Sequence, residues 1–182
     1  LPSPSGQFNG MLAAADRFRD RAPWWGGDLQ TLRNFFLAWP RPLSSHATTV
    51  AFLASDGSGD RLSGKLERSL RPAEASPLVV LVHGLTGCED STYVRETARF
   101  HLVRGRAVLR LNLRGAGPSR AIAQGYFHAG CFGDLRDVIV GLDPADTRHG
   151  VFVVGYSLGG NILLNLLGGA ETPSGLIGAA TV

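Results

Sequence analysis

At 182 residues the chain is long enough for one domain with a buried core, and its 44% hydrophobic and 18% charged residues exclude a disordered polymer. A net charge of +3, from 18 basic and 15 acidic residues with no Lys/Arg-rich cluster among aromatics, gives no ground for a nucleic-acid partner. Two cysteines, Cys88 and Cys131, make neither a disulfide framework nor metal-ligand spacing; idle thiols point to a reducing compartment and a cytoplasmic protein.

In chain order, residues 1–22 read as an N-terminal arm, Pro/Ser/Gly-rich over Leu1 to Gly10. The apolar piece Met11 to Ala15 is too short for a secretory signal and is followed by Asp16. Residues 23–182 read as one partial domain with its core from about residue 48. Its first part concentrates aromatics (Trp24, Trp25, Phe35, Phe36, Trp39), which either cover a hydrophobic surface or line an acyl-binding wall. Thr48 to Ala54 and Arg61 to Leu70 predict a β-hairpin around Asp56-Gly57-Ser58-Gly59. Gly59 to Lys65 imitates a phosphate-binding loop. However, Leu66 stands where a magnesium-binding hydroxyl belongs, and Pro72 leaves little room for the required helix.

Pro77 to Val82 predicts a buried strand ending in His83-Gly84-Leu85-Thr86-Gly87, followed by a helix through Val103 closed at Gly105. Ala107 to Leu113 is the next buried strand. Leu135, Val138, Ile139 and Leu142 then mark one helix face ahead of Pro144. Asp134 and Asp137, at or near that helix start, read as capping residues. Leu176 to Val182 predicts a last strand with an unpaired apolar edge.

The strongest signal is Val151 to Leu167. An uncharged β-branched run turns into an apolar helix at Gly155-Tyr156-Ser157-Leu158-Gly159, which fits G-x-S-x-G. In such a nucleophile elbow the serine stands at a strained strand-to-helix corner. The glycines allow close packing, and the next amide, from Leu158, opens a helix whose N-terminus favours a negative oxygen. Asn161, Asn165 and the many glycines speak against reading this uncharged stretch as a membrane span.

With these motifs in place the chain resembles an α/β-hydrolase, most closely the YheT-like (hydrolase-4) branch. The matching residues are Val82 to Gly87, Tyr93-Val94-Arg95, Asn112 to Gly115, Phe127 to Gly130 with Asp134-Leu135, and Gly155 to Asn161. Asp28 stands where the branch usually has His, and Phe127 where it has Tyr. The resemblance implies an α/β fold with a mostly parallel sheet, an N-terminal antiparallel hairpin, helices on both faces and the last strands missing. It also implies a serine esterase for carboxylic esters, acylglycerols or other lipid esters, needing no metal or organic cofactor. Ser157 would form the acyl-enzyme, the backbone amides of Leu85 and Leu158 would hold the oxyanion, and His83, Gly84, Gly155, Tyr156 and Gly159 would build the loop and elbow. His128 would take a positioning role.

In this fold the acid and histidine of the triad follow the serine along the chain. After Ser157 there is no histidine, and Glu171 is the sole acidic residue. The expectation is therefore the front part of a hydrolase, inactive or nearly so by itself. The other reading is a non-catalytic protein of the same fold that binds an ester or a partner through the same pocket.

Overall fold

The computed structural model describes residues 47–169 and 172–182, with Ala22, Pro23, Trp25, Gly26, Leu29 and Leu43 before them. The chain divides into two units, Leu1–Trp39 and Pro40–Val182, and every element below belongs to the second. The N-terminal arm up to residue 21, most of the aromatic segment, Asp28 and His46 lie outside the described residues.

The elements are β1 (Ala47–Leu53), β2 (Arg61–Glu67), β3 (Leu78–Val82), α1 (Thr92–Leu102), β4 (Val108–Asn112), a 3-10 turn (Gly117–Ala121), α2 (Phe132–Val140), α3 (Pro144–Thr147), β5 (Val151–Gly155), α4 (Leu158–Gly168) and β6 (Leu176–Thr181). They form one six-stranded sheet in the order β1-β2-β4-β3-β5-β6. The β1–β2 hairpin and the β2–β4 pairing are antiparallel, whereas β4, β3, β5 and β6 run parallel.

Every residue of β3 and β4 is buried, as expected where helices cover both faces of a parallel sheet. The pleat sends successive side chains to opposite sides. Leu78, Val80 and Val82 join Leu135, Val138, Ile162 and Leu163 from α2 and α4, while Val79 and Leu81 meet Val94, Ala98 and Leu102 of α1. Strand β4 also buries a charge. Arg110 is paired with Glu67 at 2.8 Å and with Asp90 at 2.9 Å, which makes its burial tolerable. Strands β1 and β6 are the outer strands; Ile177 of β6 and Val182 just after it are well exposed.

Three details differ from, or add to, the sequence expectations. The Gly59–Lys65 imitation of a phosphate loop runs into the extended backbone of β2, and the amides of Asp60, Arg61 and Ser63 are already taken by Ser58 Oγ, the Ile122 carbonyl and Ser119 Oγ. Asp134 and Asp137 are not caps. Asp134 lies in the first turn of α2 but binds Arg114, and Asp137 accepts from the Ser55 amide (2.7 Å) and hydroxyl (2.9 Å). Tertiary charge partners outweigh the helix end. The short α3 adds a turn after Asp143, whose carboxylate accepts the Ala145 N–H at 2.8 Å with Pro144 at the first position. Among the described residues no helix is long and apolar enough to cross a membrane.

Candidate active site

The C-terminal ends of β3, β4 and β5 share one edge of the sheet, and there the parallel order brings His83, Leu113 and Ser157 into one neighbourhood. Ser157 sits between β5 and α4 with φ 49° and ψ −115°. A non-glycine residue at positive φ costs about 1–3 kcal/mol and persists only where its surroundings enforce it. Here backbone contacts enforce it. A Cβ at Gly155 would lie 2.6 Å from the Gly159 carbonyl oxygen, and one at Gly159 would lie 2.5 Å from that of His83. The Tyr156 N–H donates to the Val82 carbonyl at 3.0 Å, and the Ser157 N–H to that of Val182 at 2.8 Å. Ser157 is exposed.

Gly84 faces it. A Cβ at Gly84 would lie 3.1 Å from the Ser157 Cβ and 3.7 Å from its Oγ, so any side chain there would crowd the hydroxyl. The loop that follows is a tight turn, with the Gly87 N–H donating to the Gly84 carbonyl at 3.1 Å and Thr86 at φ 61°. Leu85 is exposed at its tip. Among the described residues the backbone amides of Leu85 and Leu158 have no hydrogen-bond partner, and Leu158 opens α4. An unengaged N–H at a helix start beside a serine, and another in the facing turn, are groups that can stabilise a developing negative oxygen.

His83 is fully buried and both its ring nitrogens are occupied. Nε2 accepts the Leu113 N–H at 3.1 Å, which leaves the proton on Nδ1, and Nδ1 donates to the Gly84 carbonyl at 2.7 Å. Burial pushes its pKa down, against a smaller opposite effect from that carbonyl. A neutral, doubly engaged imidazole is a structural tie and has no free nitrogen with which to deprotonate Ser157.

His128 is exposed in the loop before α2. Its Nδ1 accepts the Gly130 N–H at 3.1 Å. The loop is held on two sides: Phe127 stands edge-on to the His83 ring, centroids 5.4 Å apart, and the Asn165 amide of α4 donates to the Ala129 carbonyl at 2.9 Å. The loop therefore borders the elbow, although no hydrogen bond joins His128 to Ser157. Among the described residues Ser157 Oγ has no side-chain partner, and no three His, Cys, Asp or Glu side chains gather as metal ligands.

A family model described as the alpha/beta hydrolase fold matches residues 77–174, more than half of the chain. The chain belongs to the α/β-hydrolase family. Over 107 residues (59% of the chain) it is 30% identical to embryogenesis-associated protein EMB8 of Picea glauca, covering 23% of that protein. Over 107 residues (58% of the chain) it is 33% identical to medium-chain fatty acid ethyl ester synthase/esterase 2 of Saccharomyces cerevisiae, covering 24% of it. The chain thus spans about a quarter of the length of these relatives. Among solved structures, the Pyrococcus furiosus esterase Pf2001 matches with a TM-score of 0.58 at 19% identity, over 75% of this chain and 51% of that one. At that identity the likeness speaks for the fold.

This α/β-hydrolase also gathers a charge cluster around Arg114, two residues beyond β4. Its guanidinium takes both oxygens of Asp134, at 2.9 and 2.5 Å, and reaches Asp60 at 3.0 Å and Asp56 at 2.8 Å. Asp134 first and then Asp56 raise the Arg114 pKa further. Asp56 is lowered to about 2, first by its hydrogen bonds from Ser58 and then by Arg114. Asp60 also accepts the amides of Gln124 (2.7 Å) and Gly125 (3.1 Å), so the hairpin turn anchors the loop that leads to Phe127 and His128. Sequence reasoning missed this cluster, because Asp56 and Asp60 look like ordinary turn residues until the fold puts Arg114 beside them. It also assigned no role to Tyr93, whose hydroxyl accepts the Gly84 N–H at 3.0 Å.

Proposed function

We propose that this chain carries the nucleophile half of a serine ester hydrolase of the YheT-like branch. Ser157 attacks the ester carbonyl, the alcohol leaves and water releases the acyl group from the enzyme. The amides of Leu85 and Leu158 hold the oxyanion, worth about 3 kcal/mol of barrier each. His83 orients the first of them and His128 positions substrate at the rim. The observation that carries this reading is the strained φ of Ser157 between two unengaged amides. The name of one relative, a medium-chain fatty acid ethyl ester synthase/esterase, supports carboxylic esters, including lipid esters, as the substrate class. Cys88 and Cys131, both unpaired, support a reducing, cytoplasmic setting.

Ser157 needs a general base, and no described histidine is bonded to it. The 182-residue chain alone therefore has at most the residual catalysis of about 10³–10⁴-fold that an oxyanion hole and binding leave when a triad is incomplete. The bare Ser157 hydroxyl equally favours a second reading, a non-catalytic member of the fold that binds esters at the same place.

Labelling with a fluorophosphonate probe separates the two. The whole protein should label rapidly at Ser157 and not in Ser157→Ala, while the 182-residue chain labels slowly or not at all. A folded whole protein that fails to label would select the binding reading. Rapid labelling of the short chain would instead show that a base lies within it, and His128 would be the first residue to replace.

A further inference from the structure

The turn that carries Leu85 is set by two peptide planes, and each has its own anchor. The Gly84–Leu85 plane is fixed through its carbonyl, which accepts from His83 Nδ1 at 2.7 Å and from the Gly87 N–H at 3.1 Å. In a trans peptide the N–H points opposite to the C=O, so the Leu85 amide is aimed away from the His83 ring. The preceding plane, His83–Gly84, is fixed through its N–H, which donates to the Tyr93 hydroxyl at 3.0 Å. That hydroxyl fills the turn from the α1 side: a Cβ at Gly87 would lie 2.6 Å from it.

Tyr93 is also tied to the elbow. Its ring lies against that of Tyr156, the residue before Ser157, with centroids 4.8 Å apart and planes at 57°. The Tyr156 hydroxyl is hydrogen-bonded to Thr97 Oγ1. Thr97 stands one helical turn beyond Tyr93 and donates to the Tyr93 carbonyl at 2.9 Å. One face of α1 thus braces both the Leu85 turn and the strand end that delivers Ser157 and Leu158.

We propose that Tyr93 is a positioning residue for the oxyanion amide of Leu85, acting through the Gly84 N–H and held in register with the elbow by Tyr156 and Thr97. This rests on the ester-hydrolase reading above. With the hydroxyl gone, Gly84 loses its acceptor and the turn can rotate. The Leu85 N–H then leaves the direction that a tetrahedral intermediate needs, while ground-state binding is untouched.

The test uses the whole protein, a short-chain p-nitrophenyl ester and three variants. Tyr93→Phe keeps the ring and its contact with Tyr156. It should lower kcat by about 10–30-fold, a part of the 10²–10³-fold lost with a whole oxyanion donor, with KM and the pH profile unchanged and a lower melting temperature from the unpaired Gly84 N–H. Thr97→Val, which frees the Tyr156 hydroxyl but leaves the Tyr93–Gly84 bond, should lower kcat by about 2–3-fold. It serves as the readout should Tyr93→Phe fail to fold. Wild-type kcat per folded molecule in Tyr93→Phe, or in Thr97→Val where that variant is the readout, would overturn the proposal. A rise in KM at constant kcat would overturn it as well, because that marks lost binding. Ser157→Ala is the control. If it keeps full hydrolysis, the ester-hydrolase reading fails and the role of Tyr93 falls with it, an outcome distinct from an inert Tyr93→Phe beside a dead Ser157→Ala.

Discussion

At the elbow, backbone touches backbone: Gly155 and Gly159 are placed so that a single added carbon would collide with the carbonyls of Gly159 and His83. At the end of β4, a short distance along the same sheet edge, side chains do the placing. Arg110 is tied to Glu67 and Asp90, Asn112 donates to Glu89 at 2.7 Å, and Arg114 is ringed by Asp56, Asp60 and Asp134. The first region positions a serine by leaving no room for alternatives. The second positions two loops by pairing buried charges that would be costly if left alone. Close packing tolerates no volume change, whereas an ion cluster tolerates no change of charge but allows some change of shape.

Substitutions that exchange these logics should separate the two regions. Arg114→Met should be the most damaging, at about 4 kcal/mol, because it strands the buried Asp134 carboxylate. Arg114→Met combined with Asp134→Leu should recover a good part of that loss in urea unfolding. If the double variant is no better than the single one, lost charge pairing is not the cause. Gly159→Ala should cost about 3 kcal/mol by overpacking, and no second-site side-chain change should rescue it, since the obstacle is the His83 carbonyl.

Ser157→Gly tests the strain itself. Relief at positive φ should raise stability by about 1 kcal/mol while fluorophosphonate labelling disappears, whereas Ser157→Ala should lose labelling without the gain. Equal melting temperatures for the two variants would show that the corner is not strained.

The smallest effect is a pH slope. Burial lowers the pKa of His83 and of His101, so both must stay neutral in the folded state. Their contribution is complete above the unfolded value of 6.5 and is lost as pH falls toward the folded values. Glu89 acts the other way: burial raises its pKa, so its cost grows as pH rises above 4.5. Stability measured between about pH 5 and 6.5 should therefore rise less steeply in His83→Gln than in the parent chain. An unchanged slope would mean that His83 is not the group being titrated.

The strands, their order of appearance and the elbow were legible in the sequence because their cues are local. Val79, Val80 and Val82, and later Val151, Val153 and Val154, are β-branched runs of strand length. Gly155 to Gly159 carries its turn geometry in five residues. His83 was legible as a structural histidine from its place in the His83-Gly84 turn. The role of Asp134 was not, because a carboxylate in a first helical turn has a sufficient local explanation until Arg114 arrives from another strand.

What the sequence by itself determined, then, is the parallel-sheet hydrolase architecture and the serine at its corner, since periodicity and close-packing glycines act over a few residues. What only the tertiary structure decided is which groups meet across the sheet. The tautomer of His83 depends on the Leu113 N–H, 30 positions away, and the Tyr93 hydroxyl reaches the Gly84 amide from the next helix. The carboxylates around Arg114 come from the hairpin turn and from α2. Such contacts join residues far apart in the chain, and their strength depends on burial and direction, quantities that exist only once the sheet has formed.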